Sequence, residues 1–410
     1  MQINKRFFSP FVALAMLASA TVAQATVYRV YPGESIQDAI DVAAPGDTIL
    51  VEPGDYYEDA TSKYGLRITT DNLRLIGKAN NGKGKGKPNK VRLIANGAQK
   101  TGVYAAPAGC EYSDAEGTCQ AEDLKGFYIR GFSVEEFPVN GIQTRWVDGF
   151  EFVNNVSVNN LNNGIYPTLS ANGLVRNNES YGSLDTAMWV AGSENVRVIG
   201  NVLHSSVIGF EITVSNNVEV TQNDIYQNTV GVGLFHPGGA GNPPLPVMKN
   251  WNVQQNRIYD NNRVNNAPPG SFQAELPSGV GVLMLGVSDN VISKNTVSGN
   301  DFLGIGILGW CTANAATGSP RRCADVVLGP LSANNNLVSL NKFSDNATNP
   351  PAGNPLSEAA ADIVYLQGPP FEPAGVGNCF EKNKPKDFTF TSLPDGVLGP
   401  VADALPSDGC

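Results

Sequence analysis

Histidine is almost absent from the 410-residue sequence, which contains only His204 and His236, and no Cys-x-x-Cys pair occurs. The ligand patterns of zinc and other transition-metal sites are therefore missing. The sequence also lacks a Gly-x-Ser-x-Gly elbow, a phosphate-binding loop, a nucleotide fingerprint and an EF-hand loop. No cofactor is therefore evident, although calcium held by scattered Asp and Asn oxygens stays open.

Positive charge is also scarce. The chain has 28 Lys and Arg against 38 Asp and Glu, a formal net charge of −10. An acidic chain is a poor partner for nucleic acid or an anionic membrane, because both attract basic patches. One basic loop at 82–90, GKGKGKPNK, departs from this pattern, and we interpret it as a solvated loop rather than a polyanion contact.

Long apolar runs are missing after the N-terminus, which predicts no membrane span. Residues 1–25 match a signal peptide, with basic Lys5 and Arg6, an apolar stretch at 11–17 and the small-residue site Ala23-Gln24-Ala25. We expect cleavage after Ala25 and a secreted or periplasmic protein. Removal of the two basic residues would leave the mature chain at −12 (−10 − 2).

Six cysteines accompany this export signal. They form three local pairs beside Gly- and Pro-rich loops, as expected of disulfides in an oxidising compartment. The pairs are Cys110 and Cys119, Cys311 and Cys323, and Cys379 and Cys410. Free buried thiols are the alternative interpretation.

A repeat of about 22 residues occurs seven times between residues 149 and 341, as in TAMWVAGSENVRVIGNVLHS at 186–205. Each copy contains a short apolar run, an Asn-rich turn, a Val-x-Val pair, a second Asn and another β-rich run. A period of this length is typical of stacked coils rather than one globular core. The sequence therefore predicts an all-β fold, a right-handed parallel β-helix with three strands per coil.

In the coil 187–208 we place the three strands at 188–190, 196–198 and 202–203. Alternate residues of the first strand should point into the core because side chains alternate along a strand. The apolar residues at this inward position are Ile165, Met188, Phe210, Val232, Val282 and Ile305.

The chain divides into four predicted parts: a signal peptide at 1–25, an N-terminal cap at 26–60, the β-helix at 61–368 and a C-terminal cap at 369–410. In the first cap, Ser35 should begin a helix that runs to about Ala43 and covers the open end of the core. Insertions at 237–250, 262–279 and 311–335 interrupt the repeat, and such insertions often build the binding face of a solenoid.

Two Asn series and one aromatic series recur at the repeat spacing, and we interpret all three as structural ladders. One Asn series precedes the second strand: Asn172, Asn195, Asn217, Asn250, Asn290 and Asn336. The other follows it: Asn155, Asn178, Asn201, Asn223, Asn256, Asn295 and Asn341. The aromatic series on the third strand contains Tyr181, His204, Tyr226 and Tyr259.

The outward side of the first strand, here called the first-strand face, carries the candidate functional residues. Aligned repeats place Gln143, Tyr166, Trp189, Glu211 and Gly233 in one row. Tyr166 and Trp189 are suited to stacking on sugars, with Gln143 as a further substrate-binding residue. The alternative is that the row consists of ordinary exposed side chains.

A neighbouring row holds Arg145, Thr213 and Phe235, with His236 just beyond. We expect Phe235 to contact substrate, and Arg145 and His236 to lie beside Glu211, where they could hold or neutralise a carboxylate. Asp185, just before the strand of Trp189, is a possible second carboxylate for catalysis. The candidate catalytic residues are thus Glu211, Arg145, His236 and Asp185.

The run SIQDAIDVAAPGDTILVEPGDYYE at 35–58 resembles the opening of exported β-helix proteins of the pectin-lyase-like superfamily. The segments GIYP at 164–167, GFEI at 209–212 and PSGVGVLML at 277–285 resemble a bacterial family of exported parallel β-helix repeat proteins. This resemblance covers residues 27–310 and implies fold and export but no reaction. The Asp-Pro-His motif of mannuronan epimerases and the paired Asp and Gly-His-Gly of polygalacturonases are missing.

The leading hypothesis is an exported protein that binds a polysaccharide of uronate type on the first-strand face, with cleavage or epimerisation as candidate reactions. The alternatives are a non-catalytic envelope or adhesion module and a periplasmic accessory to another exported protein. We expect a monomer whose partner is a polysaccharide, a cell-envelope glycan or an exported protein.

Overall fold

The computed structural model describes residues 25–78, 89–111, 119, 121–238, 248–319, 323, 331–385 and 390–392. Within them, nearly all regular structure is short parallel strand, arranged in three long sheets. The chain visits the sheets in turn, so each circuit is one coil of a parallel β-helix. This confirms the predicted three-strand coil, and hydrogen-bonded partners in neighbouring regular coils are 22 or 23 residues apart.

The first-strand sheet carries the candidate site. Its strands are Tyr64–Ile68, Thr101–Ala105, Asn140–Arg145, Asn163–Thr168, Thr186–Ala191, Ile208–Thr213, Val230–Phe235, Val280–Leu285, Leu303–Leu308, Ala361–Leu366 and Phe390–Ser392.

The second-strand sheet begins at the N-terminus. Its strands are Val27–Val30, Thr48–Val51, Leu73–Gly77, Leu124–Arg130, Val147–Val153, Ala171–Arg176, Glu194–Ile199, Asn216–Thr221, Lys249–Gln254, Val291–Ser293, Leu337–Ser339 and Cys379–Glu381. The third-strand sheet has the shortest strands. They are Gly54–Tyr56, Val91–Ile94, Phe132–Glu135, Val156–Val158, Glu179–Tyr181, Val202–His204, Asp224–Tyr226, Arg257–Tyr259, Thr296–Ser298 and Lys342–Ser344.

The core runs along the axis of the coils. Each inward apolar position predicted for the first strand is completely buried, and the inward residues of the three sheets form one continuous cluster. Stacking therefore gives every coil the same narrow core. Apolar burial of this kind is the main force that holds a solenoid together.

The predicted Asn ladder after the second strand is buried and continuous. Asn201 shows the pattern: its Nδ2 donates to Asn223 Oδ1 at 2.9 Å and to Val175 O at 3.0 Å, and its Oδ1 accepts from the backbone N of Asn178 at 2.9 Å. The ladder satisfies backbone groups that the turns would otherwise leave buried without partners.

The predicted Asn series before the second strand divides into two ladders. Asn172, Asn195, Asn217 and Asn250 form an exposed ladder in left-handed turns. Asn290 and Asn336 do not continue it, because the left-handed residue of their coils is the preceding one and their own side chains are buried. The five-residue spacing of these contracted coils explains the change. A third ladder, not predicted, contains Asn228, Asn261, Asn300 and Asn346.

The predicted aromatic stack is present on the third-strand sheet. Ring centroids of Tyr181 and His204 lie 4.8 Å apart, those of His204 and Tyr226 5.0 Å, and those of Tyr226 and Tyr259 5.1 Å. His204 Nε2 also lies 3.1 Å from Glu179 Oε1. These contacts agree with a structural role for His204.

The N-terminal helix is Ile36–Asp41, shorter than predicted. The Ser35 hydroxyl accepts from the backbone N of Asp38 at 3.1 Å, which is the expected N-cap bond. Ile36 and Ile40 are buried against the core, and Ala39 and Ala43 pack beside them. The three predicted insertions all lie between strands, except that the first overlaps the start of the strand Lys249–Gln254. A second helix, Trp310–Thr317, begins one residue before the last insertion. Short 3₁₀ turns occur at Gln273–Glu275 and Ser357–Ala359.

Two predicted disulfides are formed, Cys110–Cys119 and Cys311–Cys323. Cys379 is also disulfide-bonded, while Cys410 lies outside the described residues. Disulfides persist in oxidising environments, so they agree with an extracellular or periplasmic protein. Residues 1–24, most of the basic loop at 82–90 and most of the predicted C-terminal cap also lie outside the described residues. Among the helices that are described, none is long and apolar enough to cross a membrane.

Candidate functional site

The predicted row on the first-strand face exists. Gln143 pairs in register with Tyr166, and Trp189 with Glu211, which in turn pairs with Gly233. The Tyr166 and Trp189 rings stack with centroids 4.6 Å apart. The five residues thus lie side by side across five successive coils.

Most of this row is covered rather than exposed. Gln143 is fully buried, Tyr166 is 6% exposed and Glu211 is 3% exposed, whereas Trp189 is partly exposed. The expectation of an open surface is therefore wrong for most of the row. The row approaches solvent at Trp189, which marks the opening of the candidate site.

A carboxyl pair lies beside this opening. Thr186 Oγ1 lies 2.7 Å from Glu211 Oε2 and 3.0 Å from Asp185 Oδ1. A hydroxyl has one hydrogen and can donate to only one carboxylate. If both contacts are hydrogen bonds, one carboxyl must carry a proton. The structure therefore brings Asp185 and Glu211 together through Thr186.

Burial sets the protonation of this pair. Burial away from water raises the pKa of Asp185 to about 6. Hydrogen bonds from Thr186 and Gln273 lower the pKa, but their effect is smaller than that of burial. Burial, followed by the charge of Asp185, raises the pKa of Glu211 well above its ordinary value. Burial thus favours the protonated form of both carboxyls, and the charge of Asp185 further disfavours ionisation of Glu211. Two carboxyls held in different states can supply a proton donor and a proton acceptor.

The insertion at 262–279 supplies part of the cover. Its residue Gln273 hydrogen-bonds the Asp185 carboxyl, and Asn265 Nδ2 holds the insertion by donating to the carbonyls of Gln273 at 2.7 Å and Leu276 at 2.8 Å. Thr186 and Gln273 were not predicted as site residues. The polar Gln273 beside apolar Phe272 was the available signal, but its target lies about 90 residues earlier in the chain.

Phe235 has a different role from the predicted one. It is 1% exposed, its ring lies over Gly233, and it meets the Phe272 ring edge-on at 5.2 Å between centroids. Because Gly233 is the coil neighbour of Glu211, the Phe235 ring forms an apolar wall near that carboxyl. Phe235 is therefore packed under the insertion and is not an exposed sugar contact.

The buried row also changes the expectations for Gln143 and Tyr166. Gln143 Oε1 accepts from Asn140 Nδ2 at 2.9 Å. Trp189 Nε1 donates to Thr213 Oγ1 at 3.0 Å, which fixes the indole between coils while one ring face covers Tyr166. The part of the aromatic pair that a ligand can reach is therefore on Trp189.

Arg145 does not lie beside Glu211, contrary to expectation. Its register partner is Thr168, and two more coil steps lead to Ala191 and Thr213 on the strand of Glu211. Three coil steps correspond to roughly 14 Å. The guanidinium instead lies 4.4 Å over the Trp146 ring. The expectation was wrong because residues in neighbouring rows of the sheet were assumed to touch, whatever the number of coils between them.

His236 is also displaced from Glu211. It lies three residues beyond Gly233, the coil neighbour of Glu211, which corresponds to about 10 Å along the strand. His236 is 1% exposed, and its Nδ1 accepts from the backbone N of Gly238 at 3.0 Å. Neither predicted cation is therefore positioned to neutralise the carboxyl pair.

Within the part of the chain that the structure describes, no group of three or more His, Cys, Asp and Glu residues is arranged to hold a metal ion. Calcium binding stays a prediction. The site as described consists of a carboxyl pair, a bridging hydroxyl, an amide from the insertion and an aromatic opening.

Comparison with known proteins identifies the family. A model described as "Right handed beta helix region" matches residues 140–349. The chain belongs to the right-handed β-helix family. A second model, "Protein of unknown function (DUF1565)", matches residues 24–242, so the chain belongs to that family as well. The resemblance inferred from the sequence is confirmed.

Solved structures show the same right-handed β-helix fold at low sequence identity. The A-module of Azotobacter vinelandii mannuronan C-5 epimerase AlgE4 has 15% identity and a TM-score of 0.53, over 90% of this chain and 94% of the epimerase module. A point mutant of DFA-IIIase from Arthrobacter chlorophenolicus A6 has 16% identity and a TM-score of 0.52, over 91% of this chain and 86% of the DFA-IIIase chain. The same DFA-IIIase without its lid, in complex with GF2, has 16% identity and a TM-score of 0.53, over 90% of this chain and 92% of the DFA-IIIase chain. A search of curated proteins found no match.

Proposed function

We propose that this right-handed β-helix protein binds a carbohydrate at Trp189 and performs proton transfer on it with Asp185 and Glu211. The observation that carries the proposal is the buried pair of carboxyls on one hydroxyl, Thr186, with the pKa of both raised by burial. Purely structural carboxyls are rarely buried without a cationic partner, because burial of a charge is costly. A pair held in two protonation states has a direct use in acid–base catalysis.

Each residue has a proposed role. Asp185 accepts the proton from the ring carbon that carries the uronate carboxylate. In cleavage, a C=C bond forms as the bond to the glycosidic oxygen breaks, and Glu211 donates its proton to that oxygen. In epimerisation, Glu211 instead donates its proton to the deprotonated carbon from the opposite face. Thr186 relays or orients the shared proton, and Trp189 contacts the sugar at the opening. Gln273 is a positioning residue, because it holds the Asp185 carboxyl from the insertion.

The finer part of the proposal concerns the substrate. We propose a polysaccharide of uronate type, although Arg67 and Arg145 do not supply the cation for it: Arg145 is 2% exposed, and the Arg67 guanidinium donates to the backbone carbonyls of Ala106 and Pro107. The name of the epimerase with the same fold, mannuronan C-5 epimerase, supports including alginate among the first substrates tested. The proposal also includes calcium binding, a secreted or periplasmic location, and a monomeric state.

The test is incubation with alginate, pectin, inulin-type fructan and neutral glycans, with and without calcium. New reducing ends, unsaturated products and changes in uronate stereochemistry would be measured. Glu211→Gln and Asp185→Asn should each lower turnover by about 100-fold or more. Glu122→Gln is the matched control, since Glu122 is an exposed carboxylate just before the second-strand sheet strand Leu124–Arg130.

Full activity in both site variants would remove the carboxyl pair from the mechanism. Binding of a glycan without turnover, weakened by Trp189→Ala, would instead support the non-catalytic envelope or adhesion module.

A further inference from the structure

A second groove lies on the second-strand sheet, on a different side of the coil from the carboxyl pair. Its volume is about 590 Å³, within the range of ligand-binding clefts. The residues that line it come from five coils and an adjoining turn, and they include Arg74, Tyr128, Gly149, Glu151, Leu174 and Arg197.

The groove lies where a regular row of Asn side chains is interrupted by glycine. In the coils beyond it, the left-handed turn position carries Asn, and the exposed ladder ends where Asn172 Nδ2 donates to Asp148 Oδ1 at 2.6 Å. The same position in the two preceding coils is occupied by Gly149 and Gly126. A Cβ at Gly149 would have its nearest neighbour 3.9 Å away. Packing does not therefore require glycine at 149, and Asn tolerates the left-handed turn.

An outward row of functional side chains borders this gap. Arg74, Tyr128, Glu151, Leu174 and Arg197 are register partners in successive coils. The Arg74 guanidinium lies 4.1 Å over the Tyr128 ring, which holds both side chains at the groove. The row thus contains charged, aromatic and apolar side chains, one on each coil, at the coil spacing of about 4.8 Å.

The charges of the groove are balanced. Arg197 forms an ion pair with Glu219 at 3.2 Å. The positive charge of Arg74 is matched in number by the negative charge of Glu151, which lies two coil steps away in the same row. A polyanion would need an excess of positive charge, which this row does not have. An extended ligand with many hydroxyls and no net charge fits better, because hydroxyls can bond to guanidinium, carboxylate and amide groups alike.

We propose that this groove binds a neutral oligosaccharide, laid across the coils with about one sugar per coil. A pyranose chain matches the features described: an open groove across the coils, an aromatic side chain, and polar groups on successive coils. The groove shares no residue with the carboxyl pair, so the inference stands independently of the proposed catalytic function.

The test is isothermal titration of the mature chain with cellotetraose, xylotetraose and mannotetraose, with tetragalacturonate as the anionic comparison. Gly149→Asn should fill the groove while keeping the left-handed turn, and Tyr128→Ala should remove the aromatic contact. We expect at least one neutral tetrasaccharide to bind, with affinity reduced about tenfold or more in both variants. Tyr57→Ala, which removes a 59% exposed tyrosine elsewhere, should bind as the wild type does.

Several outcomes would overturn the inference. These are no binding of any neutral tetrasaccharide, binding of tetragalacturonate alone, and unchanged affinity in Tyr128→Ala and Gly149→Asn. Loss of binding in Glu211→Gln would assign the sugar to the first-strand face instead. A failure of the catalytic proposal would appear in the turnover panel and would leave these binding results unaffected.

Discussion

Replacement of Asp185 by Asn should remove a large part of the pH dependence of stability. The pKa of Asp185 is 3.8 for the free side chain and about 6 in the folded protein, because burial disfavours the charged form. The folded state therefore holds a proton that the unfolded state releases between these two values. Stability from this group is fully present below about pH 4 and falls as the pH rises through 6.

The size of the effect follows from the two pKa values. One pKa unit corresponds to about 1.4 kcal/mol, so the difference at Asp185 is worth about 3 kcal/mol between pH 4 and pH 7. Asp185→Asn removes this titration. Glu211 then loses the charge that helps to raise its pKa, although burial, the larger cause, still acts on it.

The assay is urea unfolding at intervals from pH 4 to pH 7.5 for the wild type, Asp185→Asn and Glu122→Gln. The decline in unfolding free energy should be about 3 kcal/mol smaller in Asp185→Asn than in the wild type. The exposed control, Glu122→Gln, should keep the wild-type slope. Equal slopes in Asp185→Asn and the wild type would refute the assignment of a raised pKa to Asp185.

Three further substitutions test the site and the scaffold. Thr186→Val removes the hydroxyl that lowers the pKa of both Asp185 and Glu211. The titration of both carboxyls, followed by NMR, should therefore move to higher pH. Titration curves that do not move would show that the hydroxyl is not a hydrogen-bond partner. Asn201→Ala leaves several buried groups unpaired and should cost at least about 3 kcal/mol in chemical unfolding. Asn195→Ala, in the exposed ladder, should cost under about 1 kcal/mol, and equal losses would contradict the distinction between the ladders.

The repeat made much of the first-strand row predictable. A constant coil length assigns each residue a register partner, so Trp189 and Glu211 could be paired from the sequence alone. The buried Asn ladder followed for the same reason. Asn290 and Asn336 precede the second strand as predicted, but they form a separate buried ladder because contracted coils change which residue takes the left-handed turn.

The distances between side chains in a row were harder to predict. Register gives the number of coils between two members of a row, but a shared row does not place their side chains in contact. Arg145 was placed beside Glu211 although three coil steps separate their strands. Phe235 and His236 were expected at the surface because the pattern of one strand contains no information about an insertion that folds over it.

The sequence by itself determined the coil, its period, the inward residues and the outward row, because each depends on local spacing that stacking repeats. Only the tertiary structure decided that the row is covered and that Asp185 and Glu211 share Thr186. These features depend on the insertion at 262–279, whose Gln273 contacts Asp185 across a long stretch of chain. Burial and protonation are properties of that packing, and no repeat spacing encodes them.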